Sequence, residues 1–177
     1  MNRQRVFWCL LLLVVVAGGL DAAASLRIVP LVRDEAVIVS VELSDAYTPE
    51  VRDAITSGLR TTFTYDVELR MIVPVWVDRT IASKVVTLVD HYDTLTRRHN
   101  LSRLVDGRVE GSLVTEDEAL AKKWLTTISA VPIASTSKLD PNREYYVRIS
   151  AQVRPPGSSL LGLANAITSQ AKFTFIP

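Results

Sequence analysis

The chain has little cysteine, little histidine and no excess of charge of either sign. It contains one cysteine and two histidines in 177 residues, with 20 basic and 19 acidic side chains. A single cysteine excludes an internal disulfide, and balanced charge leaves no surplus of cations to hold a nucleic-acid backbone. We therefore expect a fold that is stabilised by burial alone and no nucleic-acid partner.

Motifs for nucleotide binding and for nucleophilic catalysis are also missing. The chain has no phosphate loop, no dinucleotide fingerprint and no G-x-S-x-G turn around Ser102, the serine nearest to His99. Glu42, Asp66 and Glu68 could supply paired carboxylates for sugar hydrolysis, but they fall on predicted polar strand faces, where solvation explains them. The sequence therefore favours a noncatalytic protein without a cofactor.

The N-terminus has the layout of a secretory signal. Arg3 and Arg5 precede an apolar stretch of 15 residues, Val6–Leu20, and Ala22–Ala24 follow. As a helix this stretch would span about 22 Å, short of a hydrocarbon core of about 30 Å. We predict a signal peptide over residues 1–24, cleaved after Ala24, and an exported, periplasmic or extracytoplasmic protein; the alternative is an uncleaved N-terminal anchor.

Removal of residues 1–24 changes the composition of the chain. Arg3, Arg5, Asp21 and Cys9 are lost, so that 18 basic and 18 acidic side chains and no cysteine remain. A neutral, thiol-free chain of this length can bury a core of useful size. We predict a single β-rich domain over residues 25–177.

Alternation of apolar and polar residues indicates most of the strands. The clearest cases are residues 62–71 and 145–154, where every second residue is apolar. Asp106-Gly107 is a two-residue spacer of the kind that joins hairpin strands. The other predicted strands are residues 26–33, 35–43, 81–92, 97–105, 108–114 and 171–176.

Two segments have the signals of helices. Thr48-Pro49 begins a helix over about Pro49–Ser57, which Gly58 ends. Thr115 and Glu118 form a capping box for a second helix over about Glu116–Ala130. The predicted fold is an antiparallel β-sandwich of immunoglobulin-like architecture, or a curved meander sheet, with two short helices; an α+β layer with both helices on one sheet face is the alternative.

Both histidines lie on either side of one predicted turn. If that turn is centred on Leu95, His91 and His99 lie opposite each other with their Cβ atoms roughly 5 Å apart. Asp93 lies on the same face as His91, so the three side chains could bind zinc or a similar ion. A polar hairpin tip without a metal explains the same residues.

A leucine-rich stretch without charge extends from Ser158 to Gln170. Leu160, Leu161, Leu163 and Ile167 form a short apolar stripe that could contact a partner or a membrane surface. A third helix that packs on the sheet is the alternative interpretation.

Four segments together resemble a bacterial family of exported proteins catalogued as a domain of unknown function of the DUF4390 type. The segments are Ser40–Glu50, Gly58–Tyr65, Trp76–Arg79 and Phe173–Pro177. The resemblance implies a role in the cell envelope, since genes of that family often lie near a membrane-bound sensor kinase, and it implies no catalytic residues.

The expected function is a noncatalytic binding or scaffold module of the cell envelope. Its expected partner is a sensor kinase or another envelope or membrane protein, engaged through a sheet edge or the leucine-rich stretch, with peripheral membrane contact as a further possibility. The alternative is a metal-dependent enzyme or metal sensor that uses His91 and His99.

Overall fold

The computed structural model describes residues 24–154 and 166–175. In these ranges the chain forms nine strands, two α-helices and one short 3-10 helix, Thr136–Lys138. The helices are α1 (Pro49–Thr56) and α2 (Glu118–Thr126). The strands are β1 (Ser25–Arg33), β2 (Ala36–Ser44), β3 (Thr61–Met71), β4 (Arg79–Asp93), β5 (Arg98–Val105), β6 (Arg108–Thr115), β7 (Thr127–Ser135), β8 (Glu144–Arg154) and β9 (Ile167–Thr174).

The strands form two antiparallel sheets. One has the order β1-β2-β7, and the other has the order β6-β5-β4-β3-β8-β9. The inner faces of both sheets contribute to one hydrophobic core, in which Val39 and Val41 of β2 lie with Phe63 and Tyr65 of β3. The predicted class, a mainly antiparallel β fold with two short helices, is confirmed.

The alternation of β3 explains which face it buries. Phe63, Tyr65, Val67 and Leu69 are buried, whereas the residues that alternate with them are half-buried on the outer face. The predicted hairpin between β5 and β6 is confirmed, because Asp106 and Gly107 adopt φ angles of 48° and 78° between the paired residues Val105 and Arg108.

Helix α1 agrees with its prediction, and the Thr48 side chain accepts a hydrogen bond from the Val51 N–H at its start. The prediction for the second helix is wrong at its C-terminal end. Helix α2 ends at Thr126, and Thr127 begins β7, which pairs with β2. The apolar residues after Thr126 are therefore buried by a distant strand and not by a continued helix.

The C-terminal prediction also needs correction. Strand β9 begins at Ile167, earlier than the predicted residue 171, so the end of the leucine-rich stretch is strand and not helix. Leu160, Leu161 and Leu163 lie outside the described residues, as do residues 1–23 of the predicted signal. No helix within the described ranges is long and apolar enough to cross a membrane.

Candidate functional site

The two histidines do not face each other. In the β4–β5 hairpin Tyr92 pairs with His99, and His91 pairs with Asn100. Asp93 pairs with Arg98, so the turn holds four residues and is centred between residues 95 and 96, not on Leu95. A shift of half a residue in the centre moves one partner to the other face of the sheet. The expected His91–His99 pairing is therefore wrong.

The three predicted metal ligands lie in different parts of the hairpin. His91 is exposed on the outer face of the large sheet, and His99 is 3% exposed on the inner face. Asp93 Oδ1 accepts hydrogen bonds from the Leu95 and Thr96 N–H groups at 2.8 and 3.2 Å, which closes the turn. In the described ranges no three His, Cys, Asp or Glu side chains are grouped to hold a metal ion.

His99 instead pairs with Asp90 inside the protein. The distance from His99 Nδ1 to Asp90 Oδ2 is 2.7 Å, and Asp90 has no exposed surface. Asp90 Oδ1 has no hydrogen-bond partner among the described residues, and the Tyr92 ring packs against the His99 ring with centroids 4.8 Å apart. Sequence alternation places Asp90 on the opposite face from His91, and the same alternation brings it to His99 across the hairpin.

Burial raises the pKa values of two groups in and beside this cluster, Asp90 and Tyr47. Desolvation raises the pKa of Asp90, although its contacts with His99 favour the charged carboxylate. The nearby Tyr47 hydroxyl also has no partner among the described residues, and burial raises the pKa of Tyr47 to about 12. The cluster is enclosed, which suits a structural role better than access to a substrate.

The substitution Asp90→Asn is expected to make the variant increasingly stable relative to the unmodified protein as the pH rises. Because the pKa of Asp90 is raised on folding, the folded state keeps this proton to a higher pH than the unfolded state. The contribution of Asp90 to the free energy of unfolding is full below the unfolded pKa of about 3.9 and declines as the pH rises through the folded pKa. The total decline is about 1.4 kcal/mol for each unit by which folding raises the pKa. Urea unfolding at several pH values between 4 and 7 measures the difference.

Asp93→Asn is the matched control on the same strand, with the opposite sign. Backbone N–H groups of Thr96 and Leu95 lower the pKa of Asp93, so its contribution is present above the unfolded pKa and is lost as the pH falls. The Asp93→Asn variant should therefore lose stability relative to the unmodified protein as the pH rises. Parallel pH trends in the two variants would contradict the assignment of a raised pKa to Asp90 and a lowered pKa to Asp93.

The carboxylates considered for sugar hydrolysis lie apart or are paired with cations. Glu68 Oε2 accepts hydrogen bonds from Nε and Nη2 of Arg148 at 3.2 and 2.7 Å. Asp66 and Glu68 line an open concavity of about 480 Å³ on the outer sheet face, whereas Glu42 belongs to β2 in the other sheet. Arg148 therefore engages one of the two carboxylate oxygens of Glu68, and Glu42 is too far away in the fold to act as its partner.

The loop between β3 and β4 is the most exposed apolar feature of the described residues. Val75 is fully exposed, Trp76 is 81% exposed and Val77 is 74% exposed. Large apolar side chains that are contiguous and exposed mark interaction sites more often than isolated ones do. We call Val75, Trp76 and Val77 the tryptophan loop.

The base of the tryptophan loop is fixed by Asp78. Its carboxylate accepts hydrogen bonds from the Val73 N–H at 3.2 Å and from the Tyr146 hydroxyl at 2.9 Å, and these bonds lower the pKa of Asp78. The Asp78 carbonyl accepts a hydrogen bond from Arg70 Nη2 at 3.0 Å. The turn is closed by a bond from the Trp76 N–H to the Val73 carbonyl. Hydrogen bonds therefore fix the conformation of the tryptophan loop at its base and across its turn.

Val75 adopts a φ of 65°, which is a rare conformation for a β-branched residue. Such a conformation costs on the order of 1–3 kcal/mol and persists where surrounding contacts impose it. The bonds to Asp78 supply those contacts. The strain is consistent with a loop whose shape matters for binding.

Sequence patterning does not identify the tryptophan loop as a site. Pro74 predicts an interruption of pairing, but alternation and motif spacing give no weight to the apolar residues around Trp76 as an exposed surface. A usable signal is present, since Val73–Val77 is an apolar run that begins after the alternation of β3 has ended. Of the residues in the leucine-rich stretch that the sequence predicts as partner contacts, Ile167 lies within the described ranges. It is half-buried and packs against the core.

Comparison with known proteins identifies the family and no function. No curated protein and no solved structure matches the chain. A family model described as a domain of unknown function, DUF4390, matches residues 23–156. This match covers most of the chain, including β1 to β8 and both helices. The protein therefore belongs to the DUF4390 family, as its sequence motifs predict.

Proposed function

We propose that the protein is an exported, noncatalytic binding module of the cell envelope whose binding element is the tryptophan loop. The observation that carries the proposal is the exposure of Val75, Trp76 and Val77 on a turn that hydrogen bonds fix. Tryptophan is enriched among the residues that dominate binding energy, because one side chain covers a large apolar area with few torsions to fix. Export is supported by the N-terminal signal layout, including Arg3 and Arg5.

The rest of the molecule supports a binding role over a catalytic one. The inner pair Asp90 and His99 is closed to solvent, and the outer carboxylate Glu68 is held by Arg148. The metal alternative required His91 and His99 on one face, and the strand register separates them. The sensor kinase or another envelope protein stays a candidate for what the module engages.

Crosslinking from the loop tests the proposal. A photo-crosslinking phenylalanine derivative at position 77 leaves Trp76 in place, and the same derivative at position 95 is the control. Leu95 is 93% exposed in the turn at the other end of β4. In cells that make the full chain, position 77 is expected to give a reproducible envelope adduct that Trp76→Ala weakens by about tenfold or more. Equal adduct yields at positions 77 and 95 would overturn the proposal.

A further inference from the structure

We infer that the tryptophan loop inserts into the interfacial region of a phospholipid bilayer, so that the envelope component bound by this module is the lipid surface. The inference rests on the proposed function and names its partner. It follows from the shape and area of the loop, the hydrogen bonding of its backbone and the charges at its base.

The loop projects too little apolar area for an ordinary protein interface. A tryptophan side chain buries about 150–250 Å² when covered. With two valines the loop offers on the order of 400 Å², whereas a standard interface buries about 800 Å² on each partner. Arg79 and Thr80, which follow the loop, are exposed and polar. A bilayer interface accepts a small protruding apolar tip because it needs no complementary pocket.

The side chains of the loop suit the interfacial depth. Tryptophan is enriched at membrane interfaces, where its ring meets the acyl chains and its indole N–H meets polar head groups. The valines on either side extend the apolar tip from a single turn, and Trp76 lies between them. The three exposed apolar side chains are therefore consecutive within a single turn.

Hydrogen bonds fix the backbone that leads into the loop and close its turn at Trp76. Unsatisfied N–H groups are costly in the hydrocarbon core, whereas the interfacial region still offers polar head groups as acceptors. Ile72 donates to the Glu144 carbonyl, Val73 donates to the Asp78 carboxylate and Trp76 donates to the Val73 carbonyl. Pro74 has no N–H to satisfy. The N–H groups of Val75 and Val77 have no protein acceptor among the described residues, so the tip suits the hydrated interfacial depth and not the hydrocarbon core.

Charges at the base of the loop do not oppose a lipid surface. Arg79 and Lys172 are exposed beside it, and Glu144 is the exposed carboxylate on the neighbouring strand. The Asp78 carboxylate is engaged by Tyr146 and Val73. Each cation near an anionic surface contributes about 1 kcal/mol. We therefore expect binding to zwitterionic lipid through the apolar tip and a modest, salt-sensitive increase with anionic lipid.

Depth-dependent quenching tests the inference on the full chain. The protein carries Trp8→Phe, which leaves Trp76 and the half-buried Trp124, and is bound to phosphatidylcholine vesicles with brominated acyl chains. Trp76 emission is expected to shift to shorter wavelength and to lose roughly half its intensity, because interfacial rings lie near the first acyl carbons. Addition of phosphatidylglycerol should strengthen the quenching at low salt.

A matched variant separates the loop from the rest of the chain. In a protein with Trp8→Phe, Trp76→Phe and Leu95→Trp, the emitting ring lies at the other end of β4, while the N-terminal apolar segment is the same in both proteins. Little quenching is expected at position 95. Equal quenching at positions 76 and 95, or none at either, overturns the lipid inference.

The failure of this inference is distinguishable from failure of the proposed function. Unquenched Trp76 together with a protein adduct at position 77 overturns lipid insertion and leaves the binding module. Unquenched Trp76 together with no adduct above the position 95 control overturns both. Quenched Trp76 with lipid adducts at position 77 supports both.

Discussion

The substitution His99→Ala is expected to lower the free energy of unfolding at neutral pH by about 3–5 kcal/mol. Asp90 is completely buried, and its only side-chain partner among the described residues is His99, at 2.7 Å. Removal of the imidazole leaves a carboxylate in a low-dielectric interior with neither oxygen paired. Chemical unfolding followed by circular dichroism measures the loss.

Two companion variants identify the cause. His91→Ala removes the exposed histidine one residue from Asp90 and should change stability by less than about 0.5 kcal/mol. Asp90→Asn combined with His99→Ala should recover part of the loss, because the unpaired group is then neutral. Equal losses in the two histidine variants would contradict the assignment of a buried, hydrogen-bonded Asp90–His99 pair.

Short-range patterns predict most of this fold. Strand β3 and strand β8 have strict alternation, and both form with one buried face. The Asp106-Gly107 turn and the Thr48 cap are similarly local, because their geometry depends on two to four neighbouring residues. These elements agree with the structure because local preference and burial favour the same conformation.

The end of α2 depends on a residue far away in sequence. Ile128 continues the helical spacing of the apolar residues before it, so the pattern alone extends the helix. In the structure Ile128 pairs with Val41 of β2, and Ser40 Oγ accepts a hydrogen bond from the Ala130 N–H. Thr126, Thr127 and Ile128 are β-branched, which disfavours a helix, but the choice of partner strand is not local.

The candidate sites differ in how they depend on register. Whether His91 or His99 faces the core is settled by one residue in the length of a turn, and the sequence does not specify that length. The tryptophan loop depends on no register, since its exposure follows from lying between two complete strands. The apolar run of the tryptophan loop is therefore more predictable from sequence than the orientation of the histidines. Motifs for catalysis or metal binding do not reveal it, because it contains no catalytic or metal-ligating residue.

Strand β4 separates stability from binding in the proposed scheme. The tryptophan loop precedes its first residue, Arg79, and the Asp90–His99 pair lies near its last, Asp93. A change at the buried pair should therefore alter unfolding without altering the loop in the folded protein. Trp76→Ala should do the reverse, because a side chain that is 81% exposed contributes little to the core.

Leu125→Ala is expected to lower the free energy of unfolding by about 2–5 kcal/mol, since it empties a fully buried site in the last turn of α2. The Tyr65 hydroxyl donates to the Leu125 carbonyl at 2.7 Å, so the same residue joins the helix to the centre of the large sheet. Helix α2 also contacts β2 and β7 of the small sheet, and a cavity here loosens packing between the two layers. Thermal and urea unfolding measure the effect.

Leu120→Ala is the control for this last variant because it removes the same atoms from the same helix. Leu120 is 39% exposed, so its loss opens no enclosed cavity, and alanine favours the helix slightly more than leucine does. The expected change is below about 1 kcal/mol. A Leu120 variant as unstable as the Leu125 variant would mean that α2 contributes through helix content and not through the buried contact that joins the sheets.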